Sequence, residues 1–258
     1  GAQRILPLMN IVYTNLVFVK SNFYQLNEVE NILTKNLYLE KQKQKIFKKD
    51  IEFKSSIIFE NVSFSYDGKK TILDDVNVEI KKGLKIGVMG KTGEGKSTFL
   101  DLLMGLLEPQ KGKIYIDETQ LSKETTDSWQ SKISHVPQKI YLSDNSFIEN
   151  IAFGKEIEKI DKNQVELAAK KSQIHDFIIK SENGYSENVG ERGIKLSGGQ
   201  IQRIGLARAL YKSSELIIFD EATNSLDNLT EKLVMSELNN LDKNLTVVIV
   251  AHRLNTLQ

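Results

Sequence analysis

The chain has 258 residues, of which 40% are hydrophobic, enough to bury the core of one large domain or of one domain with an appendage. The formal net charge of +1 excludes a global attraction to nucleic acid. Cysteine is absent, which excludes disulfide frameworks and thiolate metal sites. The sequence also lacks a run of about 18 consecutive apolar residues, the usual signal of a membrane-spanning helix.

The first forty residues differ from the rest of the chain in the spacing of their apolar residues. Residues 5–19 are mainly apolar, and apolar residues recur at roughly helical spacing over 26–37. This pattern predicts an amphipathic helical lead-in over residues 1–40, as one long helix or two shorter ones, formed by the end of a membrane domain or its extension. Residues 41–50 (KQKQKIFKKD) are rich in lysine and predict a solvated basic linker. The alternative for this segment is a patch that meets acidic lipids beside a membrane.

From residue 51 onwards, short apolar runs alternate with helical stretches. Helices are predicted after Lys96, Asn163 and Ser197. Strands that are separated by helices favour an α/β fold with a mainly parallel central sheet. The predicted strands are Ser56–Phe59, Val76–Ile80, Lys85–Met89, Lys113–Ile116, Leu216–Phe219 and Thr246–Val250.

A glycine-rich loop follows the third predicted strand. It reads GKTGEGKS and fits the pattern G-x-x-x-x-G-K-[ST]; with a strand before it and a helix after it, this predicts a P-loop (Walker A motif). In such a loop, backbone N–H groups surround a phosphate at the positive end of the following helix. Lys96 supplies a cation for the terminal phosphates, and the Ser97 hydroxyl can bind Mg²⁺. The predicted nucleotide-binding residues of the loop are Gly90, Lys91, Thr92, Gly93, Glu94, Gly95, Lys96, Ser97 and Thr98.

Two adjacent acids end the apolar strand LIIFD, which lies far downstream of the loop. Asp220 stands where an Mg²⁺ ligand is needed, at the carboxyl end of a strand. Glu221 follows it and is predicted to polarise water for attack on the γ-phosphate as a general base. Paired acids in such a place are most often solvated loop charges. The P-loop upstream favours the functional interpretation, because bound Mg²⁺-ATP requires an acidic partner.

The segment at 196–200 reads LSGGQ and leads into a further helical stretch. LSGGQ resembles the signature motif of ABC ATPases. Together with GKTGEGKS and LIIFDE, it makes the chain resemble this family over residues 51–258. The resemblance implies a P-loop NTPase core with a mainly parallel central sheet, an antiparallel β region near the N-terminal part of the domain, and a helical subdomain over about 139–212 that carries the signature motif. Relatives continue for some tens of residues beyond this point, so the resemblance predicts a C-terminally truncated domain.

The resemblance also implies roles for single residues. Tyr66 in FSYDG matches the aromatic residue that stacks on adenine, and Gln138 in HVPQ matches the Q-loop glutamine that contacts metal and attacking water. Asp227 in NSLD matches the D-loop aspartate, and His252 in VAHRL matches the switch histidine that senses the γ-phosphate. The implied catalytic residues are Glu221, His252, Gln138 and Lys96, and the implied metal ligands are Ser97, Gln138 and Asp220.

The signature motif implies an assembly as well. In this family, LSGGQ of one copy contacts the ATP that is held by the P-loop of the other copy. The implied partners are therefore a second ATPase domain, as a second copy or a paralogue, and the transmembrane domain of the same transporter; no nucleic acid is expected. The implied cofactors are ATP and Mg²⁺. The residues that would act across the pair are Leu196, Ser197, Gly198, Gly199 and Gln200.

Two segments resemble the exporter branch of the family: GERG (residues 190–193) and DNSFIENIAFG (residues 144–154). They imply ATP hydrolysis that drives export or flipping of a substrate, at the cytoplasmic face of the inner or plasma membrane. One alternative is a soluble ABC ATPase that remodels DNA or ribosomes, which the near-neutral charge disfavours. The other is a clamp that binds ATP without turnover in the truncated form. The presence of Lys96, Asp220, Glu221 and His252 disfavours it for the intact protein.

Overall fold

The computed structural model describes residues 2–45, 49–68, 70–220, 233, 236 and 244–250. The chain divides into two compact units, Gly1–Phe47 and Lys48–Gln258. The first unit contains one long helix, α1 (Ala2–Lys45). This helix continues beyond residue 40 into the segment assigned above to a linker, because lysine and glutamine are good helix formers.

Apolar side chains surround much of α1. Leu16, Val17, Phe18 and Val19 occupy consecutive positions, and all four are exposed within this unit. Consecutive residues point to different sides of a helix, so the apolar surface is wider than the single stripe of an amphipathic helix. Among the residues that the structure describes, no helix combines the length and the apolarity needed to cross a bilayer.

The second unit contains two sheets and the helices that connect and cover their strands. Its described strands are β1 (Ser56–Ser65), β2 (Thr71–Lys81), β3 (Lys85–Val88), β4 (Lys111–Ile116), β5 (Thr119–Gln120), β6 (Ile133–Val136), β7 (Leu216–Asp220) and β8 (Thr246–Val250). Its described helices are α2 (Lys96–Leu103), α3 (Thr126–Ser131), α4 (Phe147–Ile151), α5 (Lys162–Lys171), α6 (His175–Ile179) and α7 (Gly198–Tyr211), with 3₁₀ turns at Ile157–Lys159, Gly184–Ser186 and Glu191–Gly193.

The two sheets differ in strand direction. One has the order β2-β1-β4-β5 and is antiparallel, and the other has the order β3-β8-β7-β6 and is parallel. Between β6 and β7 lie α4 to α7, which carry the signature segment. The predicted fold class is thereby confirmed: an α/β fold with a parallel sheet, an antiparallel region early in the domain, and a helical part.

Strand β1 is longer than the pattern predicts. The predicted strand ends at Phe59, whereas β1 continues to Ser65. Its pairing with β2 changes register between Phe59 and Val62, and Asn61 has a φ of 49°. A bulge of this kind interrupts the alternation of apolar and polar residues, which hides the second half of the strand from the sequence pattern.

The start of the second unit is fixed by backbone hydrogen bonds to one carboxylate. Asp117 accepts hydrogen bonds from the N–H groups of Lys54 (2.6 Å), Ser55 (2.8 Å) and Ser56 (2.8 Å). Burial raises the pKa of Asp117, but these bonds outweigh it and hold the pKa below its usual range. Beside them, Ile51 and Phe53 are buried in the core. Packing against the sheets therefore begins within a few residues of the lysine-rich segment.

The second unit has more than one hydrophobic core. Residues of β1, β4, α2 and α3 share the first, which includes Phe59, Leu102 and Trp129. Residues of α4 to α7 share another, which includes Phe147 and Ile204. These two cores position the two candidate ATP-contacting segments, since α2 follows the P-loop and α7 follows LSGGQ.

Candidate functional site

The P-loop lies between β3 and α2, as the sequence predicts. Gly93 and Gly95 both have a φ of +86°, a conformation that suits glycine. A Cβ atom on Gly95 would lie 3.0 Å from Cγ2 and 3.2 Å from the carbonyl oxygen of Ile72. The loop thus passes so close to β2 that a glycine is required at this point of the chain.

The first turn of α2 is open to an anion. Gly95 is the N-cap residue, and within the described part of the chain no side chain caps this helix. The N–H groups of a first helical turn need acceptors from outside the helix, and the helix dipole makes this end positive. A phosphate group is an acceptor of the right charge for this position.

Lys96 is held inside the loop. Its side chain is buried, and its Nζ donates hydrogen bonds to the carbonyl oxygens of Gly90 (2.7 Å) and Lys91 (2.9 Å). The ammonium group is therefore already positioned within the phosphate-binding loop. Phosphate oxygens can replace these carbonyl oxygens as acceptors without a large movement of the side chain.

The Tyr66 ring lies next to the same helical turn. Its hydroxyl oxygen is 3.2 Å from Oγ1 of Thr98, and its ring packs edge-on against Phe64 at 5.0 Å between centroids. Nevertheless, Tyr66 is 64% exposed. An exposed aromatic face beside a phosphate site is available to stack on a base.

The parallel sheet gathers three of the predicted site elements at one edge. The carboxyl end of β3 leads into the P-loop, β7 ends at Asp220, and Gln138 follows the end of β6. All strands of this sheet run in the same direction, so these segments share the edge at which ligands bind in such sheets. The predicted residues Glu221, Asp227 and His252 lie outside the described residues.

Negative charge is concentrated around Asp220. Burial raises the pKa of Asp101, one helical turn after Ser97, and the charge of Asp220 raises it further. His135 on β6 is also close: desolvation lowers its pKa, although Asp220 and Asp101 act in the opposite direction. Asp101, His135 and Asp220 therefore interact electrostatically near the end of β7.

The signature segment begins α7 with a complete capping box. Oγ of Ser197 accepts from the N–H of Gln200 (3.3 Å), and Oε1 of Gln200 accepts from the N–H of Ser197 (2.7 Å). Ser197 and Gly198 are exposed, whereas Leu196, Gly199 and Gln200 are half-buried. The start of the helix is thus rigid and accessible from outside.

Sequence reasoning missed Arg208, which joins α7 to the segment that follows Gln138. Nε of Arg208 donates to the carbonyl oxygen of Asn150 (2.9 Å) and Nη1 donates to that of Tyr141 (3.1 Å). Its guanidinium carbon lies 4.5 Å from the centroid of the Phe153 ring. A single arginine within a helical pattern gives no sequence signal, so only the fold reveals this contact.

A second link between these segments is steric. A Cβ atom on Gly205 of α7 would lie 2.3 Å from Cδ1 of Ile140. Ile140 therefore fills a notch that glycine leaves on the helix, two residues after Gln138. The Gln138 segment and α7 are therefore in close steric contact at this point.

The fold and the site together define a nucleotide-binding domain of the P-loop class. The family model described as "ABC transporter" matches residues 73–224. The chain belongs to the ABC transporter family, and the domain that the family shares binds ATP.

Several curated proteins are similar to the chain. The heavy metal tolerance protein of Schizosaccharomyces pombe is 39% identical over 69% of this chain, and the mitochondrial iron-sulfur clusters transporter ABCB7 of Homo sapiens is 37% identical over 70%. The ATP-dependent lipid A-core flippase of Wigglesworthia glossinidia brevipalpis is 41% identical over 67%. The chain spans only 21%, 24% and 30% of the length of these three relatives, respectively.

A solved structure supports the same assignment. A bacterial Atm1-family ABC exporter with ATP bound has a TM-score of 0.76 and 36% sequence identity. The match covers 81% of this chain and 37% of the exporter chain. With the relatives above, it identifies the chain as a nucleotide-binding domain of the exporter type.

Proposed function

We propose that this chain is the ATP-hydrolysing domain of an ABC exporter and works as one half of a head-to-tail pair. The observation that carries the proposal is that the chain holds both a P-loop and a signature segment, on two different hydrophobic cores. Both segments begin helices, and Ser97 at the start of α2 and Ser197 at the start of α7 are exposed. Such an arrangement allows each copy to supply one half of two ATP sites, and the pair to close around two nucleotides.

ATP would be held mainly by the loop between β3 and α2. The open N-terminus of α2 and the buried ammonium of Lys96 are both suited to the β- and γ-phosphates. Tyr66 would stack on adenine, since its ring is exposed next to the first turn of α2.

Mg²⁺ would be held by Ser97, Gln138 and Asp220. Their hydroxyl, amide and carboxylate oxygens are the ligands that Mg²⁺ prefers, and the negative charge around Asp220 fits a cation. The ion would neutralise charge on the phosphates when it is bound. Glu221 would orient and deprotonate the attacking water, and His252 would sense the γ-phosphate.

The signature segment would act on ATP of the partner copy. In the capping box, Oγ of Ser197 is an acceptor, so its hydroxyl proton remains available for a γ-phosphate oxygen. The N–H groups at the start of α7 add partial positive charge. Asp227 of the D-loop would serve the same interface.

Nucleotide state would reach the rest of the transporter through the segment after Gln138. Arg208 and the Ile140–Gly205 contact tie this segment to α7, so it would move together with the signature segment. The proposed partners are a second ATPase domain, as a copy or a paralogue, and a transmembrane domain; the proposed location is the cytoplasmic face of the inner or plasma membrane. The relatives named above carry different cargoes in their names, so the proposal concerns ATP-driven export and no single cargo.

The proposal is tested by ATPase rates across a wide range of protein concentrations, with Glu221→Gln as the inactive form. The exposed carboxylate of Glu118, in the β4–β5 turn, provides the matched control Glu118→Gln. We expect the rate per mole of protein to rise with concentration, to vanish in Glu221→Gln and to persist in Glu118→Gln. Light scattering should show that Glu221→Gln doubles in mass in saturating Mg²⁺-ATP. A rate that is flat with concentration and insensitive to Glu221→Gln, or a monomer under those conditions, contradicts the proposal.

A further inference from the structure

The P-loop of this chain contains a carboxylate at its centre. Glu94 turns back over the loop, and its Oε2 accepts a hydrogen bond from the N–H of Lys91 at 2.7 Å. Glu94 is exposed to solvent. An acidic side chain is therefore fixed by a short hydrogen bond within the loop that receives anionic phosphates.

Gly90 provides the space for this contact. A Cβ atom on Gly90 would lie 2.8 Å from Oε2 of Glu94 and 3.8 Å from Cδ of Lys96. The carboxylate and the lysine stem thus lie over the same face of Gly90. Nζ of Lys96 also bonds to the carbonyl oxygens of Gly90 and Lys91, so the backbone of Lys91 is hydrogen-bonded to one anion and to one cation.

This charge matters because the ligand is itself strongly anionic. Metal-free ATP carries a net charge of about −4 near neutral pH, and Mg²⁺ lowers this to about −2, so a fixed negative charge repels the metal-free form about twice as strongly. The helix dipole and Lys96 attract both forms. Glu94 adds an opposing contribution that scales with the net charge of the nucleotide.

We propose that Glu94 is a specificity-determining residue that makes the P-loop favour the magnesium complex of ATP over the metal-free nucleotide. The inference rests on the proposed binding of ATP at this loop. Glu94 reduces the affinity for every nucleotide form, but it reduces the affinity for the more highly charged form further. Nucleotide then binds this chain mainly together with the metal ion that hydrolysis requires.

Two variants separate the charge of Glu94 from its hydrogen bond. Glu94→Gln keeps the length of the side chain and an oxygen that can accept from the N–H of Lys91, but removes the charge. Glu94→Ala removes both. Glu108→Gln is the matched control, because Glu108 is an exposed carboxylate that lies near Lys123 on the surface beyond α2.

The experiment measures the Kd of ATP by titration calorimetry on the full chain, once with excess Mg²⁺ and once with a chelator. We expect Glu94→Gln to tighten the binding of metal-free ATP about tenfold and that of Mg²⁺-ATP about threefold, the size expected of an exposed charge acting at short range. Raising the salt concentration should shrink both gains, because salt screens exposed charges. Glu108→Gln should leave both Kd values unchanged.

The possible outcomes separate the inference from the proposed function. Equal Kd values for Glu94→Gln and the wild type, or equal gains for both nucleotide forms, overturn the role of Glu94 while leaving ATP binding intact. Weakened binding by both Glu94→Gln and Glu94→Ala also overturns it, since the side chain would then serve only to shape the loop. If neither the wild type nor any variant binds ATP, the proposed function itself fails and the inference with it.

Discussion

Two helices of this chain, α2 and α7, begin at the segments proposed to contact ATP, and they begin in different ways. Helix α2 starts at a glycine, and no described side chain caps it, whereas α7 starts at Ser197 with a reciprocal capping box. The first helix leaves its N–H groups to a ligand, and the second satisfies part of its own end. Under the proposed function, the helix that binds its own ligand and the helix that meets a partner copy therefore begin with two different kinds of N-terminus.

The far ends of the two helices are anchored in different cores. Nε1 of the buried Trp129 donates to the carbonyl oxygen of Leu103 at the end of α2 (2.8 Å). In the last turn of α7, Arg208 donates to two carbonyl oxygens of the segment that follows Gln138. Helix α2 is thus tied to α3 within the core that both share with β1 and β4, while α7 is tied to the core of the helical part.

The largest effect is expected where α2 depends on Lys96. Lys96→Ala removes the cation that faces the phosphates and should lower kcat/KM for ATP hydrolysis by about 100- to 1000-fold, as the loss of a charge-stabilising group does elsewhere. Steady-state ATPase assays measure this. Lys111→Ala removes an exposed lysine of β4 and should keep wild-type activity. If Lys96→Ala kept half of the wild-type kcat/KM, the start of α2 would not be the phosphate-binding site.

Arg208→Gln tests the anchor of α7. It removes two hydrogen bonds from a charged donor and should lower the free energy of unfolding by about 3 kcal/mol. Arg208→Lys should recover only part of this, because lysine lacks the planar fork that reaches both carbonyl oxygens. Urea denaturation measures the effect, with the exposed Lys159→Gln as control, which should change stability by about 0.3 kcal/mol. Equal stabilities of Arg208→Gln and Lys159→Gln would show that α7 has no such anchor.

Two glycines of the P-loop show why the chain requires glycine at the start of α2. Gly93 and Gly95 have the same φ, but only around Gly93 is there no described heavy atom within 4 Å of a new Cβ. Gly93→Ala should therefore lower the free energy of unfolding by about 1 kcal/mol through backbone strain alone. Gly95→Ala should lower it by about 2 kcal/mol, because its Cβ also meets Ile72. If thermal denaturation shows the reverse order, the close approach to β2 is not what requires glycine.

The smallest effect concerns the capping box of α7. Ser197→Ala should lower the free energy of unfolding by about 1 kcal/mol, and Ser197→Gly by only a few tenths, because glycine is tolerated at an N-cap. Both variants lack the hydroxyl and should lose ATPase activity to the same degree if that group serves the partner's ATP. If Ser197→Ala lost more ATPase activity than Ser197→Gly, in proportion to its larger loss of stability, Ser197 would have a structural role only.

The two helices also differ in how much of them the sequence reveals. The P-loop and the start of α2 follow from a motif, and LSGGQ marks the start of α7, because these contacts are made by consecutive residues. The anchor of α7 cannot be predicted from the sequence, since Arg208 meets Asn150 and Tyr141 only after the chain has folded. The notch at Gly205 is hidden for the same reason.

Strand β6 shows a further limit of the pattern. Its sequence ISHV alternates over only four residues, and buried Ser134 binds Oγ of Ser214 (2.7 Å) and the carbonyl oxygen of Ala209 (3.2 Å). A short strand with a buried polar residue lacks the apolar run that identified β7 and β8. Asp220 and Gln138 were nonetheless predicted from their motifs, and the sheet places both at its carboxyl edge. The roles of all the predicted site residues stay predictions, and Glu221, Asp227 and His252 also lie outside the described residues.

If the signature segment of one copy completes the P-loop site of the other, a mixture of two inactive variants should regain ATPase activity. Lys96→Ala disables a P-loop, and Ser197→Arg blocks a signature segment. A mixed pair would retain one site with an intact loop and an intact signature. In an equal mixture, about half of the pairs are mixed, and each mixed pair has one working site of two. The mixture should therefore recover about a quarter of the wild-type ATPase rate. A rate no higher than the sum of the two variants measured separately would contradict the head-to-tail pair.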